Sequence, residues 1–402
     1  MRDCRSATVF SLLASLCAGA LACEPAGKGA GDSARPAAGG MAAESAQRSA
    51  EPWTLEDVTP NTDDGIRVLI IHDMEGLSGQ DDPRSYRFGT EQYPSGQEML
   101  AADVNAVVDG LFAGGATEVV IADGHGSGNS DPDLRTDLLD ARATQIIRDE
   151  PFDTYFDLPE SEELDAVAVV GMHSKTGSGG FAAHTFTLGI DLLINGQAIT
   201  ETELVALSWG RFGVPVIFAS GDDKLRGDLA TMPWIEYVTV KDAPSADTAV
   251  PRPVDEARAD LREGARRAVE QLAEAKSMRA VLPVRASLHA VPPANLRFLE
   301  GIPGLDGGDG TGAAYADDTY SFTAADMRGA YDGLVAVVGM ARVGYQSLLQ
   351  EVVAARQDAG EIQSAFGEAL WQRWHDQESG RYERPGAGEA IGEMIRRFHG
   401  YR

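Results

Sequence analysis

Near-continuous apolar runs recur along the first half of the chain, spaced by longer mixed stretches. Arg67–His72 (RVLIIH), Glu118–Ala122, Ala166–Val170 and Val214–Ala219 each read as a β-strand without the polar alternation of a half-wet sheet. Between the first two, Gly96–Phe112 has a helical pattern, with Ser95 as a cap after Pro94 and Gly114-Gly115 as a stop. A further helix spans Glu201–Arg211. Strands that are apolar throughout and separated by helices predict an α/β fold: a mostly parallel sheet covered by helices on both faces. A long charged amphipathic helix, Val254–Ala275, then leads to a different rhythm. Val284–His289, Leu296–Leu299, Tyr315–Phe322 and a helix over Ala324–Val343 suggest a second, smaller α+β domain, and the tail carrying Trp371 and Trp374 reads as helical.

The N-terminus follows other rules. Arg2 and Arg5 precede an apolar or small-residue stretch, Ala7–Ala22, ending in Ala20-Leu21-Ala22, which reads as a cleaved export signal too short for a membrane span. Cys23 stands directly after the cut. Gly19-Ala20-Leu21-Ala22-Cys23 resembles a bacterial lipobox, with Ala20 where Leu is usual, so a lipid on Cys23 would tether an exported protein to a membrane. From Glu24 to about Asn61, Ala, Gly, Ser, Pro and Glu dominate, and too little apolar surface is present to fold. The expected organisation is a signal at 1–22, a flexible spacer at 23–61, a metal-binding catalytic α/β domain at 62–250, a second domain at 251–345 and a helical C-terminal extension at 346–402.

Composition narrows the chemistry. Asp plus Glu number 62 against 34 Lys plus Arg, a net charge of −28 over 402 residues. Such a surface repels nucleic acid, so no nucleic-acid partner is expected. All three cysteines, Cys4, Cys17 and Cys23, lie at the extreme N-terminus. The folded body therefore has no disulfide and no thiolate metal site, and a metal there must be held by His, Asp and Glu.

Those residue types sit where the strands end. The first strand runs into His72-Asp73-Met74-Glu75-Gly76, the second into Asp123-Gly124-His125-Gly126, and the third into Gly171-Met172-His173-Ser174. In parallel α/β sheets, ligands bind beyond the carboxyl ends of the strands. Four of the seven histidines, His72, His125, His173 and His184, fall in this half. A carboxylate can bridge two cations, and two divalent ions about 3.5–4 Å apart hold and acidify a water suited to hydrolysis.

With these motifs in place, the segments Val68–Gly79 (VLIIHDMEGLSG), Val119–Gly126 (VVIADGHG), Val169–Thr185 (VVGMHSKTGSGGFAAHT) and Ile194–Leu204 (INGQAITETEL) resemble the D-aminopeptidase family of dizinc metallopeptidases, the type found in bacterial dipeptide-transport operons. Gly221-Asp222-Asp223 and Thr323-Ala324-Ala325-Asp326-Met327 extend the likeness, which covers roughly Ile66 to Gly344. The resemblance implies that Asp73 bridges two Zn2+ ions, or other divalent metals, and that Glu75, His125, His173 and Glu201 complete the ligand set. It implies that His184 is catalytic, acting on the scissile bond or its tetrahedral intermediate, and that short peptides lose an N-terminal D-residue to an activated water. It also implies self-association into ring-shaped decamers. Three points stay open. Glu203 competes with Glu201, although counting from Asn195 favours Glu201. His72 stands where the family has an apolar or small residue, and is either a support for a ligand or a core histidine. Asp123 either orients His125 or caps its loop. A dimetal phosphoesterase and a catalytically inactive metal-binding lipoprotein are the alternative readings.

Overall fold

The computed structural model describes residues 51–60, 64–129, 131–148, 152–291, 296, 299, 313–354 and 356–379. The export segment, Cys23, the start of the spacer, residues 297 and 298 of the expected Leu296–Leu299 element and residues 380–402 of the expected C-terminal extension lie outside the described residues. In chain order the elements are β1 (Trp53–Asp57), β2 (Arg67–His72), α1 (Tyr93–Ala113), β3 (Glu118–Asp123), β4 (Thr144–Gln145), α2 (Leu158–Ser161), β5 (Ala166–Val170), β6 (Ile190–Ile194) and β7 (Gln197–Ala198). They continue with α3 (Glu201–Gly210), β8 (Val216–Asp222), α4 (Asp223–Asp228), β9 (Glu236–Ser245), β10 (Thr248–Pro251), α5 (Val254–Glu270), β11 (Lys276–Ala280) and β12 (Val284–Ala290). Last come β13 (Ala314–Ala316), β14 (Thr319–Ala324), α6 (Met327–Ala354) and α7 (Ala359–Glu378).

The main sheet has seven strands in the order β10-β9-β8-β5-β2-β3-β4. Every pairing is parallel except β9 with β10. The apolar strands divide their side chains between two cores, as the two-residue period of a strand requires. Val68, Ile70, Val119, Ile121, Ala166 and Ala168 face the core built with α1 and α5, while Leu69, Ile71, Val120, Ala122, Val167 and Val169 face the one shared with α3 and the second sheet. Val68 to Ile71 are all fully buried, each contributing about 1.5–3 kcal/mol to the folded state. The second sheet is antiparallel, ordered β13-β14-β12-β6-β7, with α6 against it. No described helix is long and apolar enough to cross a membrane.

Several expected boundaries move. Helix α1 starts at Tyr93 with Pro94 in its first turn, because a fixed φ and a missing N–H suit that position, and Ser95 lies inside the helix. The division at residue 250 does not hold. Helix α5 packs on α1 and completes the first layer, and β6 and β7, from within 62–250, pair in the second sheet. The spacer does not run to 61: Trp53–Asp57 pairs antiparallel with β11, and Trp53 is buried. The division at 345 falls inside α6, so the C-terminal extension begins as a continuation of that helix.

Candidate metal centre

Strand β2 is the switch point of the main sheet, with β3 on one side and β5 on the other. The loops leaving β2, β3 and β5 therefore open into one crevice. Two loops meet there with almost no clearance. Asp73 N donates to Val170 O at 2.8 Å, and Gly76 N donates to Gly171 O at 2.7 Å. Gly171 has a φ of +77°, and a Cβ on it would lie 2.3 Å from Asp73 O. That glycine lets the loop carrying His173 lie against the loop carrying Asp73 and Glu75.

Asp73, Glu75, His125, His173, His184 and Glu201 all reach this crevice. Asp73, Glu75 and Glu201 are at most 5% exposed, so three carboxylates share one enclosed volume. Asp73 divides its oxygens. Oδ1 lies 2.8 Å from His125 Nδ1, and Oδ2 lies 3.3 Å from His173 Nε2. Glu75 Oε2 is 3.1 Å from His125 Nδ1, and Glu201 Oε1 is 3.7 Å from His173 Nε2 and 3.8 Å from His184 Nε2. Donor atoms of Asp73, Glu75 and His125 lie within 4.8 Å of one another, as do those of Asp73, His173 and Glu201. These two groups share Asp73, as a bridging carboxylate demands, and donor atoms of Glu75, His173 and His184 form a third such group in the same crevice.

The histidines pass a separate test of fit. His125 Nε2 is 2.8 Å from Tyr86 O, His173 Nδ1 is 3.0 Å from Ser174 O, and His184 Nδ1 is 2.8 Å from Ala182 O. A backbone carbonyl can only accept, so each of these nitrogens carries the hydrogen. In a neutral ring the other nitrogen then presents its lone pair to the carboxylates, which is the arrangement of metal-ligating imidazoles. His173 Nε2 is buried and faces the Asp73 and Glu201 carboxylates at 3.3 and 3.7 Å, in the place where a cation would be shared by the three side chains. The donor set, hard carboxylates with borderline imidazoles, suits zinc and similar divalent ions.

Electrostatics in the metal-free protein express the same crowding. Burial, reinforced by the charge of Asp73, pushes the Glu75 carboxyl up to about 7. Burial also works upward on Asp73, but its hydrogen bonds with Glu75, His125 and His173 outweigh it and hold the carboxyl well below its usual range. Burial opposes a charge on His173, yet Asp73 and Glu201 raise it to about 10. The His184 ring stacks on that of His173 at 3.9 Å, and burial together with the His173 charge lowers it to about 3.

The open points resolve by direction. Glu203 closes a capping box with Thr200 at the start of α3 and accepts from Thr231 Oγ1, so it serves the helix, and Glu201 faces the site. Asp123 accepts from the backbone N–H groups of His125 and Asp133 and caps the loop. His72 is fully buried, its ring makes no hydrogen bond among the described residues and lies 3.8 Å from Asp123, consistent with a core histidine.

Other participants carry no sequence motif. Tyr155 Oη donates to Glu201 Oε2 at 2.8 Å, and Phe186 N donates to Glu201 Oε1 at 2.7 Å, so both oxygens are aimed. The fully buried Lys241 donates to Glu75 O and Gln80 Oε1, fixing the backbone between the two β2 carboxylates and the rest of the loop. Trp374, on α7, donates through Nε1 to Ala183 O and stands edge-on to His184 at 5.5 Å. Sequence offered only the presence of aromatic residues in these stretches.

Sheet and donor set together define an α/β protein with a cluster of carboxylates and histidines able to hold divalent cations at its topological switch point. The chain belongs to the D-aminopeptidase family, peptidase M55, whose model matches residues 66–330. A D-aminopeptidase of Bacillus subtilis (strain 168) is 27% identical over 161 residues, which are 40% of this chain and 57% of that relative's length. Among solved structures, the Zn-dependent D-aminopeptidase DppA from Bacillus subtilis, described as a self-compartmentalizing protease, aligns with a TM-score of 0.60 at 22% identity, over 68% of this chain and 97% of that one. At that identity the likeness speaks for the fold.

Proposed function

We propose that this protein is an exported, metal-dependent aminopeptidase that removes the N-terminal residue, a D-amino acid, from short peptides. The observation that carries the reading is Asp73, whose two oxygens face two separate donor groups across a closed crevice. Asp73, Glu75 and His125 would hold one cation, and Asp73, His173 and Glu201 the other. Zinc is the expected metal, as in the Zn-dependent relative. When bound, such ions polarise a carbonyl oxygen and acidify a water.

The chain's own groups supply the rest. Tyr155 and the Phe186 N–H hold Glu201 in place. His184 keeps its hydrogen on Nδ1 for Ala182 O, so its neutral ring offers Nε2 as a proton acceptor. It takes a proton from the attacking water and returns it to the leaving amine, which places acceptance before the donation expected from sequence. Trp374 shields the ring edge from bulk water. Export and a lipid tether at Cys23 belong to the same reading, since peptides with D-residues arise from cell walls. Self-association, the property described for the solved relative, is proposed for this chain as well.

Paired D- and L-aminoacyl substrates, assayed with and without chelator, test the proposal. Asp73→Ala should remove metal and activity together. His184→Ala should keep the metal while kcat falls by about 10²–10⁴. A metal-free yet active Asp73→Ala protein would reject the scheme.

A further inference from the structure

The crevice opens into a cavity of about 510 Å³, large enough for a small peptide. Its walls carry the carboxylates and imidazoles of the crevice, several aromatic side chains and, as the sole lysine or arginine among the described residues, Arg87. Residue 87 has a defined relation to the chemistry, because the carbonyl of its neighbour Tyr86 accepts from His125 Nε2. The Arg87 guanidinium lies 4.7 Å over the ring of Trp371, and Tyr86 packs on the same indole at 5.5 Å. Glu368 engages Arg87 through Nη2 at 3.0 Å. The guanidinium is thus pre-placed, with a side-chain exposure of 16%, while Glu368 is 64% exposed. A pair so open to water is weak, and a second carboxylate can share or displace it.

We propose that Arg87 is the specificity residue that binds the free C-terminal carboxylate of a short peptide substrate. The inference rests on the peptidase reading and names the class of peptide: di- or tripeptides ending in a free acid. Charge makes the requirement concrete. The protein carries a net charge of −28, and the carboxylate end of a peptide entering the cavity meets that field. Arg87 offers local compensation, and its planar fork matches a carboxylate better than an ammonium would. Trp371 and Glu368, which fix its orientation, belong to α7, beyond the matched stretch that ends at residue 330. The C-terminal helix therefore adds a wall of the substrate cavity that the family core does not contain.

The test compares D-alanyl-glycine with D-alanyl-glycinamide on the metal-loaded full chain. Wild type should prefer the acid. In Arg87→Gln the acid-over-amide ratio of kcat/KM should fall by about 10- to 100-fold, mainly through KM, and Arg87→Lys should restore part of it. A ratio equal in wild type and Arg87→Gln overturns the proposal. Calorimetry with the uncleavable reduced-amide isosteres of both compounds reads binding without turnover. Loss of affinity confined to the acid supports the carboxylate role, whereas equal loss for acid and amide overturns it. If wild type cleaves neither peptide, the aminopeptidase reading fails, and the calorimetric comparison still decides the role of Arg87.

Discussion

His173 and His184 show how one side chain takes opposite states a few ångströms apart. Both are enclosed and both donate Nδ1–H to a backbone carbonyl. His173 has Asp73 at 3.3 Å and is raised to about 10, while His184 has a carboxylate no nearer than 3.8 Å among the described ion pairs and falls to about 3. Proximity to Asp73 therefore separates a charged imidazole from a neutral one. A pH dependence follows. In the metal-free protein His173 holds its proton until about pH 10 and Glu75 until about 7, and a ligand must lose its proton to bind a cation. Cation affinity should thus rise as pH rises through 7 and onward toward 10. Calorimetric titration of zinc at pH 7.5, in buffers of different ionisation heat, should report release of about one proton or more per chain. No release would contradict these protonation states. At this scale Asp73, Glu75, His125, His173 and Glu201 stood out in the sequence because each closely follows a strand or begins a helix, while His184, in the loop between β5 and β6, was singled out only by the family resemblance. Tyr155, Lys241 and Arg87 were not, since their roles arise from long-range placement that no short motif encodes.

At the level of elements, the site depends on two loops that touch through glycine. Gly171→Ala puts a Cβ 2.3 Å from Asp73 O at a φ of +77°. Gly177→Ala has a similar φ, +85°, with nothing within 4 Å, and so isolates the backbone cost of about 1–2 kcal/mol. Urea denaturation should show Gly171→Ala losing at least twice as much stability as Gly177→Ala, with zinc content falling only in the former. Equal losses would mean that the contact between the β2 and β5 loops is not tight. Strands β2, β3, β5 and β8 of the main sheet were readable because continuous apolar runs of that length have few other uses, whereas β4, β9 and β10 at its two edges, with no such run, were not. Their partners were harder. The run Ile190–Ile194 carries no sign that it pairs with Val284–Ala290, and Trp53–Asp57 lies in a stretch whose average composition reads as unfolded. Composition averages over a window, while one buried Trp53 and a backbone ladder suffice to order five residues.

For the whole molecule, the path of the chain between the two sheets decides how it unfolds. After β5 the chain leaves the main sheet, lays down β6 and β7 in the second, and returns through α3 to β8. Glu201 begins α3 directly after that excursion, so one of the carboxylates of the crevice is delivered by way of the second sheet while Asp73, Glu75, His125 and His173 come from the first. Helix α3 and the second sheet also share one apolar core with the inner face of the main sheet. Neither sheet can come apart without exposing that core and separating Glu201 from Asp73. Calorimetric melting should accordingly show a single transition for both sheets in the metal-loaded protein. A chelator should move that transition down as a whole, because a ligand present at 100 times its Kd stabilises only the folded state, by about 2.7 kcal/mol. Two resolved transitions, with only one sensitive to metal, would mean that the sheets are independent domains. The delivery of Glu201 through the second sheet would then need another explanation.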